Sequence, residues 1–426
     1  MINKKRLSLV GVGVLSVLAL AACGGDKTPE VSWWTSEYDY GTTEISYSCP
    51  TDDNEMMETI VANFKKSDAK YANVTVKLGV NSGEGDIWGE LQKDADVAPD
   101  VMLMADNNIR DAVGAETLSY VPTDIAKGLV ASDGQSNVDA ASINGVVYGY
   151  PYRADNTYLM FGDDTVIGEK TTIEDILAAC KTAGKKFYYD FANSWYGASY
   201  LWAAGGKTYV DENSKMASDF TKDEVVNMAQ YFCDLYKQYA GTFICSSDNA
   251  AIEQGFTEGT IAAAVLWNDT ANLPTAKVYT LPTINGKQMK GFMGTKDIVV
   301  KDVTKMGNDY KKLSLAHAFA KFASNKESQT LRVTEKQYGP SNIEAQGSEA
   351  VKALPWFVGI AAAQAKDAFV SQAAGSTGDF WTPVETFGKV LRDGNGAWGD
   401  YGTGKAGAKA ALQALVDSTG WVDLNA

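Results

Sequence analysis

The sequence predicts an α/β protein of two lobes, and three observations carry that expectation. Strand-like and helix-like segments alternate from about residue 42 onward. The chain has 426 residues and is 45% hydrophobic, enough to divide its core between two bodies. Neither an internal repeat nor a long low-complexity linker separates the halves, which points to several short crossings between lobes.

The first residues read as an address. Lys4, Lys5 and Arg6 precede an apolar run over 7–22, too short for a comfortable membrane span and shaped like a signal-peptide core. It closes on Leu20-Ala21-Ala22-Cys23. Small residues before a cysteine suit cleavage after the thiol is diacylated, so residues 1–22 read as a lipoprotein signal and Cys23 as the lipid attachment. A plain secretory signal is the competing reading. The lipid would hold the mature chain on the outer face of the cell membrane, with residues 23–43 as a tether. Within it, Val31-Ser32-Trp33-Trp34 has the pattern of an extra edge strand.

The formal charge is −15, and losing residues 1–22 removes three cations and no acid. A body this acidic is a poor partner for nucleic acid or anionic lipid. Cys49, Cys180, Cys233 and Cys245 form no CxxC pair, so zinc ribbons and thioredoxin chemistry find no support. Cys233 and Cys245 either bridge or remain buried thiols. His317, the only histidine, lies in a helical pattern and reads as structural. A Ser-His-Asp triad or a multi-histidine metal site has almost nothing to be built from, and no cofactor is expected.

Residues 42–49 alternate like a strand. The following helix places Met57, Ile60, Val61 and Phe64 on one face. Residues 74–78 form the next strand, a short polar helix surrounds Trp88, and 99–104 is an apolar run suited to a buried parallel strand. This β-α-β-α-β order predicts a doubly wound lobe. Further on, Thr171-x-x-Glu174 reads as a capping box for a helix burying Ile173, Ile176, Leu177 and Cys180. Residues 186–190 read as a strand. Thr221-x-x-Glu224 reads as a second capping box, for a helix burying Val225, Met228, Phe232, Leu235 and Tyr239.

The order of motifs resembles the extracellular solute-binding proteins of carbohydrate ABC importers, and among them the maltose/maltodextrin-binding group, from about residue 44 to 418. Ala98-Pro99-Asp100-Val101 resembles the group's "PD plus apolar strand". The stretch from Ile143-Asn144-Gly145 to Tyr150-Pro151 resembles its hairpin before the first interlobe crossing. Phe256-Thr257-Glu258-Gly259, running on to Trp267, resembles its apolar strand and tryptophan. Leu281-Pro282 and Gly291-Phe292-Met293-Gly294 resemble the return crossing, and the run from Ala318 to Ala323 its late helix.

The resemblance implies a two-lobed periplasmic-binding-protein type II fold with discontinuous lobes joined by hinge segments. The boundaries it implies are 44–153 with 297–352 against 154–296 with 353–426. It also implies capture of an oligosaccharide, best matched by maltose or malto-oligosaccharides, closure of the lobes, and delivery to ABC permease subunits by a monomer that is not an enzyme.

A sugar presents apolar C–H faces and a ring of hydroxyls, so its site needs aromatic plates together with carboxylates or carboxamides. Asp52 and Asp53 sit at the first strand-to-helix turn, where α/β sheets place ligands; helix capping is the alternative role. Asn107 and Asn108 follow the third strand, where the group often carries Asp and Arg. Asp155 matches a carboxylate that reaches the sugar; the alternative is a hinge residue paired with Arg153. Trp195 and Tyr196 match an aromatic pair on the second lobe. Trp267 matches a stacking tryptophan after a one-residue shift, and Trp381 a late aromatic before a helix starting near Pro383. Core packing is the alternative for each ring. Two other functions stay open at this point: a secreted glycoside hydrolase, which also uses carboxylates and aromatics, and a binder of another solute such as a polyamine. A surface receptor without a transporter is a further variant.

Overall fold

The computed structural model describes residues 34, 38–81, 84–211, 215–267, 273, 276–394, 397–418 and 420–425. The signal segment, Cys23 and Trp33 lie outside these. Trp34 is not in a strand. Its Nε1 donates to Asp124 Oδ2 at 3.0 Å and its ring meets His317 edge-on at 6.5 Å, and Tyr38 and Tyr40 follow it onto the same core.

The first lobe opens with β1 (Glu44–Pro50), α1 (Asn54–Ser67), β2 (Thr75–Asn81), α2 (Glu84–Lys93) and β3 (Val101–Ala105). β1 pairs in parallel with both β2 and β3. The expected face of α1 is buried at Met57, Ile60 and Phe64, with Met56 added and Val61 only half-buried. There follow α3 (Asp106–Gly114), β4 (Leu118–Ser119), α4 (Thr123–Asp133) and α5 (Gln135–Ala140). The hairpin β5 (Ser142–Ile143) and β6 (Val146–Val147) turns on Asn144 and Gly145, at φ 53° and 80°, the left-handed pair that a tight hairpin requires. β7 (Gly149–Gly162) is then buried at every residue.

The second lobe runs through α6 (Asp164–Ile167), α7 (Ile173–Thr182), β8 (Lys186–Tyr188), α8 (Ser194–Gly197), α9 (Ser199–Ala203), β9 (Thr208–Val210), β10 (Met216–Ser218) and α10 (Asp223–Gln238). It continues through β11 (Phe243–Ile244), α11 (Asn249–Thr257), β12 (Ile261–Trp267), β13 (Lys277–Tyr279), β14 (Thr283–Ile284) and β15 (Lys287–Gln288). All four predicted core positions of α7 are buried. Both capping boxes need correction. Thr172, not Thr171, caps α7, accepting from Asp175 N at 3.1 Å, while Glu174 turns away to accept from Tyr231. α10 has no side-chain cap, because Thr221 is committed to Asp423. Tyr239 lies just beyond that helix and is only half-buried.

β16 (Gly291–Lys301) returns the chain to the first lobe, where α12 (Tyr310–Ala323), α13 (Lys326–Lys336), α14 (Ile343–Gln346) and α15 (Glu349–Lys352) complete it. α16 (Pro355–Gln364), β17 (Phe369–Ser371), α17 (Gln372–Gly375), α18 (Gly378–Asp393), α19 (Gly404–Asp417) and β18 (Val422–Asp423) belong with the second lobe. One sheet has the order β11-β8-β12-β7-β16-β3-β1-β2. β7 and β16 lie antiparallel at its centre, with register irregularities between Gly294 and Asp297. They are the two crossings. One large core draws on residues 40–152 and 298–323, another on 158–292 and 380–421. The fold is thus two α/β lobes that are discontinuous in sequence, joined by hinge strands.

A close approach in the second lobe gives a stability test. A Cβ on Gly388 of α18 would lie 2.2 Å from the Phe191 carbonyl oxygen and 2.8 Å from Ala192 Cα. Alanine ordinarily favours a helix interior over glycine by about 1 kcal/mol. Here Gly388→Ala is expected to destabilise by about 1–3 kcal/mol, read by urea denaturation. A stabilised variant would show that the two backbones separate freely.

Candidate functional site

The proposed contacts gather into two neighbourhoods along the crossing strands. The first centres on Arg153 of β7. Its Nε and Nη2 donate to Asp155 Oδ1 and Oδ2 at 2.8 and 3.1 Å, both side chains being buried. Asp155 also accepts from Gly339 N at 2.6 Å. A Cβ on Gly339 would lie 2.4 Å from Asp155 Cβ, so glycine is what lets this loop close on the carboxylate. The guanidinium lies 3.8 Å from the centre of the Tyr338 ring and 6.0 Å from that of Trp267. Lys296 Nζ of β16 approaches the Trp267 ring at 4.0 Å, within cation–π range.

Asp53 joins this group through Tyr338, whose hydroxyl donates to its Oδ1 at 3.3 Å. Burial pushes the Asp53 carboxyl above its usual range, and the charges of Arg153, Arg332 and Lys336 pull it back. Asp52 keeps an exposed side chain, and its backbone carbonyl accepts from Lys336. Neither aspartate caps α1 through its side chain. Asp155 has the Arg153 partnership that the sequence left open as an alternative.

The second neighbourhood lies where α3 of the first lobe meets α17 and α18 of the second. Asn107 is buried, and its Oδ1 accepts from Gln372 Nε2 at 2.7 Å. Gln372 Oε1 in turn accepts from Asn156 Nδ2 of β7 at 2.6 Å. Asn107 Nδ2 donates to Asn108 Oδ1 at 3.1 Å. Beyond this relay, Trp195 and Trp381 are half-buried with ring centres 6.1 Å apart. Both rest on Phe292 of β16, at 5.6 and 5.8 Å. Tyr196 is buried and meets Tyr158 edge-on at 4.9 Å. The helix carrying Trp381 starts at Gly378, five residues before Pro383, because Thr377 caps it by accepting from Asp379 N. Trp381 therefore sits in the first turn of α18 and Pro383 inside the helix.

The two neighbourhoods combine carboxylates, carboxamides and partly exposed indoles, supplied by both lobes. Such a set recognises a polyhydroxyl ligand with apolar faces. A hollow of about 200 Å³ lies between α18 and α19, within the second lobe, and is lined by none of these side chains; it carries hydroxyls on Thr382, Thr386, Tyr401 and Ser418 but no carboxylate, carboxamide or indole. Sequence reasoning missed Gln372, Tyr338 and Lys296. Lys296 had a signal, since Lys296-Asp297 interrupts an apolar strand. Gln372 and Tyr338 had none, because their partners are far away in the chain.

Other polar candidates are structural. His317 is buried between Tyr150 Oη at 2.9 Å and Ser119 Oγ at 3.1 Å, and burial pushes its pKa down to about 3. Cys233 and Cys245 are free thiols, and burial raises both. No helix among the described residues is long and apolar enough to cross a membrane.

Residues 59–358 match the family model for bacterial extracellular solute-binding proteins. The maltodextrin-binding protein MdxE of Bacillus subtilis (strain 168) is 26% identical over 370 residues, covering 80% of this chain and 82% of the relative. Among solved structures, the maltodextrin-binding protein MalE1 from L. casei BL23 aligns with TM-score 0.73 at 18% identity, over 89% of this chain and 99% of that one. The maltose-maltodextrin binding protein of Alicyclobacillus acidocaldarius aligns with TM-score 0.69 at 19% identity, over 88% and 100%. The structural matches carry the two-lobed fold, and the family match covers well over half of the sequence: the chain belongs to the bacterial extracellular solute-binding proteins.

Proposed function

We propose that this protein captures an oligosaccharide outside the cell, best matched by maltose or a malto-oligosaccharide, and delivers it to an ABC permease when its lobes close. The observation that supports this reading is that both lobes bring aromatic rings and carboxylate or carboxamide side chains beside the same two crossing strands, and we assign them as sugar contacts. Asp52, Asp53, Asn107 and Asn108 come from the first lobe, Trp195, Tyr196, Trp267 and Trp381 from the second, and Asp155 from the crossing between them. The maltodextrin-binding names of its relatives agree. We place the lobe limits at 44–153 with 297–352 and 154–296 with 353–426, a division supported by the separation of the cores. Lipid attachment at Cys23 and a monomeric, non-hydrolytic protein complete the proposal.

A ligand that touches both lobes favours the closed state by its differential affinity. Calorimetry with maltose to maltoheptaose, followed by small-angle scattering on the saturated sample, tests this. The expected result is binding with a reduced radius of gyration and no shortened sugar afterwards. Binding of spermidine instead, or slow release of reducing ends, would replace the proposal with one of its rivals.

A further inference from the structure

Two acids lie buried at the hinge with no cation beside them among the described residues. Asp106 opens α3, the helix that carries Asn107 and Asn108, and its Oδ2 accepts from Thr295 N of β16 at 3.0 Å. Thr295 Oγ1 donates to Asp297 Oδ2 at 2.8 Å. One residue thus links both carboxyls. Asp106 is 2% exposed and Asp297 0%. Among the described residues their remaining oxygens, both Oδ1, are buried without a hydrogen-bond partner, and the backbone amide of Asn107 at the start of α3 is the one further group that favours ionised Asp106.

The surroundings are tightly packed. A Cβ on Gly149 would fall 2.8 Å from Asp297 Cβ, with Ala141 and Ile109 close behind. Gly294 brings its backbone up to Asp106, whose two oxygens would lie 3.1 Å from an added Cβ. A void of about 30 Å³ touches Asp106, Asn137, Ala154 and Thr295, room for roughly one water.

Among the described residues no positive charge faces the pair. β3 sets Met104 opposite Asp297 and β7 sets Pro151 there; α5 contributes Asn137 and α17 contributes Gln372. The other charged group acting on Asp297 is Asp133 of α4, itself an acid. The cations of the crossing strands turn elsewhere, Arg153 to Asp155, Lys296 to Trp267 and Lys301 to Asp100 and the Ala98 carbonyl. Two buried carboxyls in this setting cannot both ionise without large cost. Burial pushes Asp106 up to about 7 and Asp297 well above the ordinary carboxylate range.

We propose that Asp106 and Asp297 are a proton-binding pair built into the hinge, so that rotation of the lobes is coupled to uptake or release of protons. Thr295 lies within the stretch of β16 whose register is irregular, where a hinge rotation is absorbed. Turning that stretch moves the Thr295 amide away from Asp106 and admits water, and a wetted carboxyl releases its proton. The sign follows from the raised folded-state values. The native state binds more protons than the unfolded chain between about pH 4, the ordinary Asp range, and the native values. Stability therefore falls as pH rises through that window and is lowest above it.

The coupling to sugar rests on the function proposed above; the proton-binding pair does not. Melting temperatures from pH 5 to 9 are measured for the wild-type chain, Asp106→Asn, Asp297→Asn and the double variant. Asparagine imitates the protonated acid. The wild type is expected to fall by about 2–4 °C or more relative to the variants above pH 7. Parallel curves would overturn the pair. So would a rise in the wild-type melting temperature at pH 8 with sodium or calcium chloride that the variants lack, since the pair would then hold a metal cation. Calorimetry of maltotriose binding in buffers of different ionisation enthalpy counts the protons exchanged on closure. This readout needs no variant, so it stands even if the double variant does not fold. Binding with zero exchange would overturn the coupling, whereas no binding of any sugar would overturn the sugar reading and leave the melting result standing.

Discussion

Arg153→Met is expected to lower stability by about 3–5 kcal/mol, the cost of leaving a buried carboxylate without its cation. Asp155 is 1% exposed and takes both bonds of the guanidinium side-on. The stacked Tyr338 ring also loses its partner, which unlocks the loop that closes at Gly339. Asp155→Asn in the same chain should restore much of the loss, because the amide oxygen still accepts from Gly339 N and no charge is stranded. Urea denaturation of the wild type, both single variants and the double variant gives the coupling energy directly. If Arg153→Met costs less than about 1 kcal/mol, the pair is wetter or more mobile than its geometry indicates.

Trp381→Ala is expected to weaken oligosaccharide binding at least threefold to tenfold. Stacking beyond simple burial is worth roughly 0.5–1.5 kcal/mol, and the lost contact area adds to it. Trp381 stands in the first turn of α18 with one side against Phe292 and Phe380 and part of its ring exposed. Part of its energy is therefore packing, so affinity must be measured per folded molecule by titration calorimetry. Trp381→Phe keeps a plate and should recover most of the binding. Trp267→Ala is expected in the same range, although Lys296 already covers part of that ring. Unchanged affinity in a less stable Trp381→Ala protein would assign this tryptophan to the core.

Local periodicity made much of this fold legible. The stripe on α1, the four inward positions of α7 and the wholly apolar β3 each follow from which residues recur at which spacing. The hairpin at Asn144-Gly145 is implied by the resemblance, and its two left-handed residues agree with Asn-Gly turn chemistry. Some errors fell where a side chain had a distant rival partner, others where a neighbouring residue supplied the cap. Thr221 caps nothing because Asp423, two hundred residues later, takes its hydroxyl. The start of α18 was misplaced because Pro383 looked like a first-turn residue, whereas the Thr377 cap decides. In the candidate site, residue types were readable and their partnerships were not. Asp155 and Arg153 are two apart, so their pairing is legible in the sequence. Tyr338, which holds the guanidinium from the other side, and Gln372, which joins Asn107 to Asn156, reach the crossing strands from far along the chain. No spacing rule reaches that distance.

The central placement of β7 and β16 also sets an order of assembly. The core of the first lobe lacks Ile298, Val300, Leu315 and Phe319 until the chain has passed through the first and longer part of the second lobe. The second lobe in turn lacks Phe380, Phe387 and Leu412 until the C-terminal helices arrive. Each lobe closes a loop of more than a hundred residues before it is rewarded with burial, and such non-local closure slows folding. An emerging chain therefore has no finished half to shelter it. Its apolar strands stay available to other molecules until nearly all of it is present, which makes the polypeptide a natural client for chaperones during its synthesis and export.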